Sequence, residues 1–125
     1  MTPPTEIRWP QRLANFEGAL NQLEKEGVIE LFEYCFELVW KTSKDYMEAN
    51  GFVFAVVMPR QVLKEAYAAK IIADGEAWIA MLDHRNLLSH TYSPVVFEQA
   101  VAAIQERYLP ALEQLKGFMQ LEAAR

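Results

Sequence analysis

The chain has 125 residues, 52% of them hydrophobic, and a net charge of −5. That is the size and composition of one globular domain, able to bury roughly two-thirds of its unfolded surface without staples. The acidic balance argues against a broad basic surface tracking a nucleic-acid backbone, but leaves room for a local pocket that binds one phosphate or nucleotide.

MTPPTEIRWP at the amino terminus lacks the charged start and apolar run of a signal peptide. The most apolar run, FVFAVVM from Phe52 to Met58, is far short of the ~20 residues that span a bilayer. The expectation is a cytoplasmic protein with no membrane segment. The single cysteine, Cys35 in FEYCFELVW, reads as a small core filler in a reducing compartment.

Leu13, Phe16, Leu20 and Leu23 form one apolar stripe and predict a first helix from about Gln11 to Glu26, ended by Gly27. A second helix, about Val28 to Ala49, carries Phe32, Cys35, Phe36, Val39, Ser43 and Met47 on one face and Leu31, Tyr34 and Leu38 on another. A helix apolar on two sides needs two neighbours, or one neighbour and a partner chain. Asn50 and Gly51 suit its C-cap.

FVFAVVM has nothing to pair with as a strand and is read as a buried connection to Pro59, which opens a third helix to about Ile72. Asp74 is the expected N-cap of a fourth helix from Gly75 to about Ser89. Ser93 and Pro94 restart the chain as N-cap and first residue of a fifth, with the stripe Phe97, Val101, Ile104, Tyr108, Leu112, Leu115 and Met119. Pro110 interrupts that stripe at a cost of up to ~3 kcal/mol, so a bend near Tyr108 or two helices end to end are expected. No repeat or linker divides the chain, and the whole reads as one all-α antiparallel bundle of four to five helices.

The fourth helix holds polar residues where its apolar stripe should run. At about 100° per residue with Trp78 at zero, Leu82 falls near ~40°, Ile79 near ~100°, Met81 near ~300° and Leu88 near ~280°. Arg85, Ser89 and Asn86 lie at about 340°, 20° and 80°, inside that arc, with His90 at its edge and Leu87 pointing away. Burying an unpaired guanidinium is costly, so the arc is expected to open into a wet cleft or onto another subunit at its carboxyl end. The exposed Leu87 favours a second subunit as its cover.

The plainer reading is an ordinary helix end, with Arg85 capping carbonyls or pairing with Asp83 or Glu76, and His90 facing the helix dipole. Chemically the cluster suits phosphate. Arginine offers a planar fork of donors, asparagine and serine neutral hydrogen bonds, and histidine a proton exchanged near neutral pH. An Arg and a His beside a phosphodiester suffice for acid–base work and charge stabilisation without metal. Tyr92 adds a hydroxyl just past the helix that can bind a nucleotide or be modified by one.

RNLLSHTY, from Arg85 to Tyr92, is R-x4-H-x-Y and resembles the signature of the HEPN superfamily of small helical domains. FEYCFELVWK (32–41), GEAWIAMLDHRN (75–86) and RYLPALEQL (107–115) look like its branch of nucleotidyltransferase substrate-binding proteins, related to the toxins of minimal nucleotidyltransferase/HEPN toxin–antitoxin pairs. The resemblance covers about Arg12 to Lys116 of a single domain, 1–125. It implies a homodimer with the motif near the two-fold, and a separately encoded small nucleotidyltransferase as partner.

By that resemblance Arg85, Asn86, Ser89, His90 and Tyr92 form a nucleotide-binding site. In ribonuclease members the matching Arg85 and His90 would be catalytic, acting on RNA without metal, and Tyr92 would receive AMP from the partner. The expected function is the nucleotide- or substrate-binding subunit. The alternatives are a metal-independent ribonuclease toxin neutralised by adenylylation of Tyr92, and a helical interaction module with a vestigial motif. The family often has an acidic residue where this chain has His84 and threonine where it has Leu88. The first departure weakens the ribonuclease expectation more than the binding one, and His84 itself is read as a solvated surface residue.

On the second helix Glu33, Tyr34, Glu37 and Lys41 either line the cleft or form a solvated surface, Glu37 and Lys41 being a favourable i, i+4 pair. Phe32, Phe36 and Trp40 are expected in the core. Asp45, Glu48, Glu24 and Glu26 are too scattered for a metal site, no Cys/His spacing suggests zinc, and no cofactor is expected.

Overall fold

The structure is a computed structural model that describes residues 4–26, 29–90 and 93–125. Among the described residues there is no strand. Six helices, α1 (Pro4–Glu26), α2 (Ile29–Ala49), α3 (Pro59–Ala68), α4 (Gly75–Leu88), α5 (Pro94–Ala103) and α6 (Leu109–Ala123), follow one another, with a π-helical turn (Ile104–Tyr108) fusing the last two. The all-α bundle is as expected. Gly27 and Val28, the expected end of the first helix and start of the second, and Thr91 and Tyr92 lie outside the described residues.

α1, α2, α4 and the α5–α6 rod run up, down, up and down. The start of α1 meets the end of α2, where Trp9 and Tyr46 make an edge-to-face pair at 5.1 Å. The rod runs alongside α2 in the same direction: Phe32 stacks on Tyr108 near one end, and the Tyr46 hydroxyl donates to Glu122 at the other. α4 runs back against the rod, with Gln114 holding the Ile71 carbonyl and Ala73 amide just before α4 begins. This is the four-helix solution to burying one stripe per helix, with α3 as a short link.

Most of the predicted stripes reach the core, but Phe97 and Val101 at the start of the last stripe are only half-buried, and the side chain of Leu23 lies outside the described ones. Phe32, Cys35, Phe36, Val39, Ser43 and Met47 of α2 are all buried, and so are Leu13, Phe16 and Leu20 of α1 and Ile104, Tyr108, Leu112, Leu115 and Met119 of the rod. Burial pushes the Cys35 thiol up to about 12, which leaves it inert. Of the second α2 stripe, Leu31 and Leu38 are half-buried and Tyr34 is exposed.

Several boundaries differ from expectation for identifiable reasons. α1 starts at Pro4 rather than Gln11, running through Pro10, because Trp9 packs into the core and anchors the extra turns. Gly51, at φ 93°, closes α2 in a Schellman pair, its amide bonded to Glu48 O and that of Phe52 to Met47 O. α3 stops at Ala68, four residues before the expected Ile72. Lys70 takes the left-handed position at φ 63°, with Lys70 N bonded to Tyr67 O and Ile71 N to Ala66 O, and the turn drops Ile71 and Ile72 into the core.

The connection 52–58 is not buried as expected. Phe52 and Phe54 are half-buried, but Val53 is 94% exposed and Val56, Val57 and Met58 lie at the surface. At Pro110 the two expectations merge. The π-turn passes the Leu109 amide back to the Ile104 carbonyl, and Pro110 falls in the first turn of α6, where its missing N–H costs little.

Candidate functional site

Asp74 starts α4 as expected, its carboxylate accepting from the Ala77 amide at 3.0 Å. From there Ala77, Trp78, Met81, Leu82 and Leu88 are buried, while Asn86, Ser89 and His90 are exposed. The polar part of the arc therefore opens to solvent in the single chain, and Leu87, pointing away from the arc, stands 46% exposed. The Ser89 hydroxyl donates to the Arg85 carbonyl at 3.1 Å and closes the last turn on itself. Tyr92 lies outside the described residues, so the structure joins four of the five predicted site residues on one helix end: Arg85, Asn86, Ser89 and His90.

Arg85 pairs with neither Asp83 nor Glu76. Its Nη2 donates to Glu37 Oε2 on α2 at 2.9 Å, and both side chains are 33% exposed. Asp83 turns the other way, to Arg60 at 2.9 Å. Glu37 also takes Trp40 Nε1 at 3.2 Å on the same oxygen and Lys41 Nζ at 3.1 Å on the other. Of the two readings of this α2 face, the i, i+4 bridge is present and at the same time lines the motif. Burial pushes the Glu37 carboxyl up, but hydrogen bonds from Lys41 and Trp40 and the charges of Lys41 and Arg85 outweigh it and hold it below the usual carboxylate value.

His84 corrects the sequence reading. It is half-buried, and its Nδ1 shares a short hydrogen bond with the Tyr108 hydroxyl in the π-turn. Tyr108 is pushed up by its burial, with Asp83 raising it further and Arg107 opposing. The residue beside Arg85 thus ties α4 to the rod, and Arg85 ties it to α2. Two bonds from neighbouring positions fix the helix end that presents the motif.

Elsewhere, a groove of about 810 Å³ runs between α3 and the first half of α4, past Leu63, Tyr67, Asp74, Glu76, Ile79 and Asp83. None of the motif residues lines it. No helix of the described residues is long and apolar enough to cross a membrane.

The family described as "Nucleotidyltransferase substrate binding protein like" matches residues 11–121 of this chain. A curated protein of Haemophilus influenzae, a "Probable ribonuclease HepT", is 31% identical over 103 residues, covering 72% of this chain. The chain spans 66%, just under two-thirds, of that relative's length.

Proposed function

The chain belongs to the nucleotidyltransferase substrate-binding protein family, and we propose that it is the nucleotide- or substrate-binding subunit of a small, separately encoded nucleotidyltransferase. Arg85, Asn86, Ser89 and His90 form the phosphate-facing surface, completed by Tyr92, and two copies meet at this end of α4 as a homodimer. The observation that carries the reading is the placement of Arg85. A guanidinium half-shielded at a helix end, with one edge bonded to Glu37 and neutral and protonatable donors exposed beside it, is set to receive a phosphate. The acidic net charge favours a protein partner over long RNA, whose binding rests on many phosphate contacts.

A second reading is favoured by the relative named as a probable ribonuclease. Here Arg85 and His90 are the catalytic pair of a metal-independent ribonuclease, and AMP transfer to Tyr92 silences it. One pair of experiments separates the two. The binding-subunit reading expects Arg85→Ala to abolish nucleotide binding, wild-type expression to be harmless, and the intact mass to stay unchanged in a stable complex with the nucleotidyltransferase. Growth arrest relieved by Arg85→Ala or His90→Ala, with a gain of AMP mass lost in Tyr92→Phe, makes the ribonuclease reading the correct one. If neither substitution changes anything except stability, both fail.

A further inference from the structure

Three hydrogen-bond donors from two helices converge on a single acceptor in the free protein. Arg85 Nη2 and Trp40 Nε1 reach Glu37 Oε2 at 2.9 and 3.2 Å, and Lys41 Nζ reaches Oε1 at 3.1 Å. Two fixed positive charges and one nearly buried indole N–H around one small oxyanion are the donor set of an anion site. We propose that Arg85, Lys41 and Trp40 form a phosphate cradle, that Glu37 is its resident occupant, and that a ligand's phosphate binds by displacing this carboxylate. The proposal rests on the reading of Arg85 as a phosphate ligand and adds to it two further ligands, from α2, and a built-in competitor.

The energetics favour exchange. Arg85, Glu37 and Lys41 are each a third or more exposed, so their ion pairs are screened and cheap to break. Glu37 hangs from α2 by a flexible side chain that reaches solvent with a rotamer change. Trp40 differs, because the residue is only 9% exposed and its packing in the core holds the N–H where it now meets Glu37. A phosphate monoester brings more charge and three oxygens to the same three donors, which a carboxylate with two oxygens satisfies less fully. Without Glu37 the cradle carries the charges of Arg85 and Lys41 unopposed. With it, a ligand must be strong or locally concentrated to enter, as when a partner nucleotidyltransferase presents it.

The test is a calorimetric titration of the purified protein with AMP, with adenosine as the phosphate-free control. Glu37→Gln, which keeps the shape and removes the competing charge, is expected to bind AMP about tenfold more tightly than wild type. Lys41→Met is expected to bind it about tenfold more weakly, and adenosine should not discriminate among them. Equal or weaker AMP binding by Glu37→Gln would overturn the proposal. Loss of binding in Arg85→Ala with Glu37→Gln and Lys41→Met unchanged leaves Arg85 a ligand and sinks the cradle, whereas no binding by wild type or Glu37→Gln sinks both. Should Glu37→Gln not fold, the wild-type indole N–H resonance of Trp40, assigned with Trp40→Phe, is expected to shift with AMP and not with adenosine. A resonance that stays put under saturating AMP overturns the displacement.

Discussion

The Asp45 carboxylate, fully buried on α2, faces Arg12 of α1 at 3.3 Å, and Arg8 at 3.7 Å and Lys44 at 3.3 Å complete its surroundings. Neither oxygen makes a well-directed hydrogen bond, so charge alone compensates the burial. Asp45→Asn removes the buried anion that three cations share, but all three keep some contact with water and Lys44 keeps its pair with Glu48 at 3.1 Å. The expected loss is about 2 kcal/mol, below the ~3–5 kcal/mol of breaking a fully buried pair because the charges left behind reach water. Urea unfolding checks it through the midpoint, and adding Arg12→Met should recover part of the loss. An Asn variant as stable as wild type would remove this cluster from the forces joining α1 to α2.

Lys70 sits at φ 63° in the C-cap turn of α3, a conformation that costs an L side chain about 1 kcal/mol or more. Its side chain is exposed. Lys70→Gly is therefore expected to stabilise the protein by about 0.5–1 kcal/mol, after the greater freedom of glycine in the unfolded chain is deducted. Thermal melting reads this as a rise of a few degrees, and a fall would mean the lysine makes a contact that outweighs its backbone strain.

That turn also marks where sequence reading stops. The carboxyl end of α2 and the start of α4 were legible because Gly51 and Asp74 announce their roles chemically, one by its freedom at positive φ and the other by its short carboxylate. Lys70 announces nothing, so α3 was read four residues too long. The α2 core face was legible because each of its residues follows from the spacing of its neighbours. The partners of the site were not. Arg85 and Glu37 are 48 positions apart, and His84 and Tyr108 are 24 apart, so only the packing of whole helices brings them together. The run 52–58 misled for the opposite reason: its hydrophobicity is real, but a chain crossing the outside of a bundle has nothing to bury it.

Tyr46 gives the protein a calculable alkaline limit. Burial, the hydrogen bond to Glu122 and the negative charge of that group push its hydroxyl up to about 12, with Arg125 opposing. In the unfolded chain a tyrosine loses its proton near pH ~10, while the folded chain keeps it. The stabilisation is whole below about pH 10 and is lost as pH climbs through the folded value. Tyr108, also raised by burial, acts in the same direction. Urea midpoints measured from pH 9 to 11.5 should fall, and fall less steeply in Tyr46→Phe, though that variant starts lower for want of its 2.7 Å bond to Glu122. Parallel slopes in the two proteins would exclude Tyr46 as the titrating group.

Leu87 lies between Asn86 and the Ser89–His90 pair and exposes 46% of its surface on the face that the proposed homodimer covers. An isolated exposed leucine is unremarkable. This one points away from the polar arc and comes nearest to it at His90, so a second copy that covers it would reach the motif from the His90 edge. Leu87→Glu places a charge in that contact and should shift the protein toward monomer by light scattering at micromolar concentration, by about tenfold or more in dissociation constant. Because the side chain points to water in the single chain, the substitution should leave the unfolding of the isolated monomer unchanged within about 0.5 kcal/mol. A dimer undisturbed by Leu87→Glu would place the two-fold away from Leu87 and from the His90 edge of the motif.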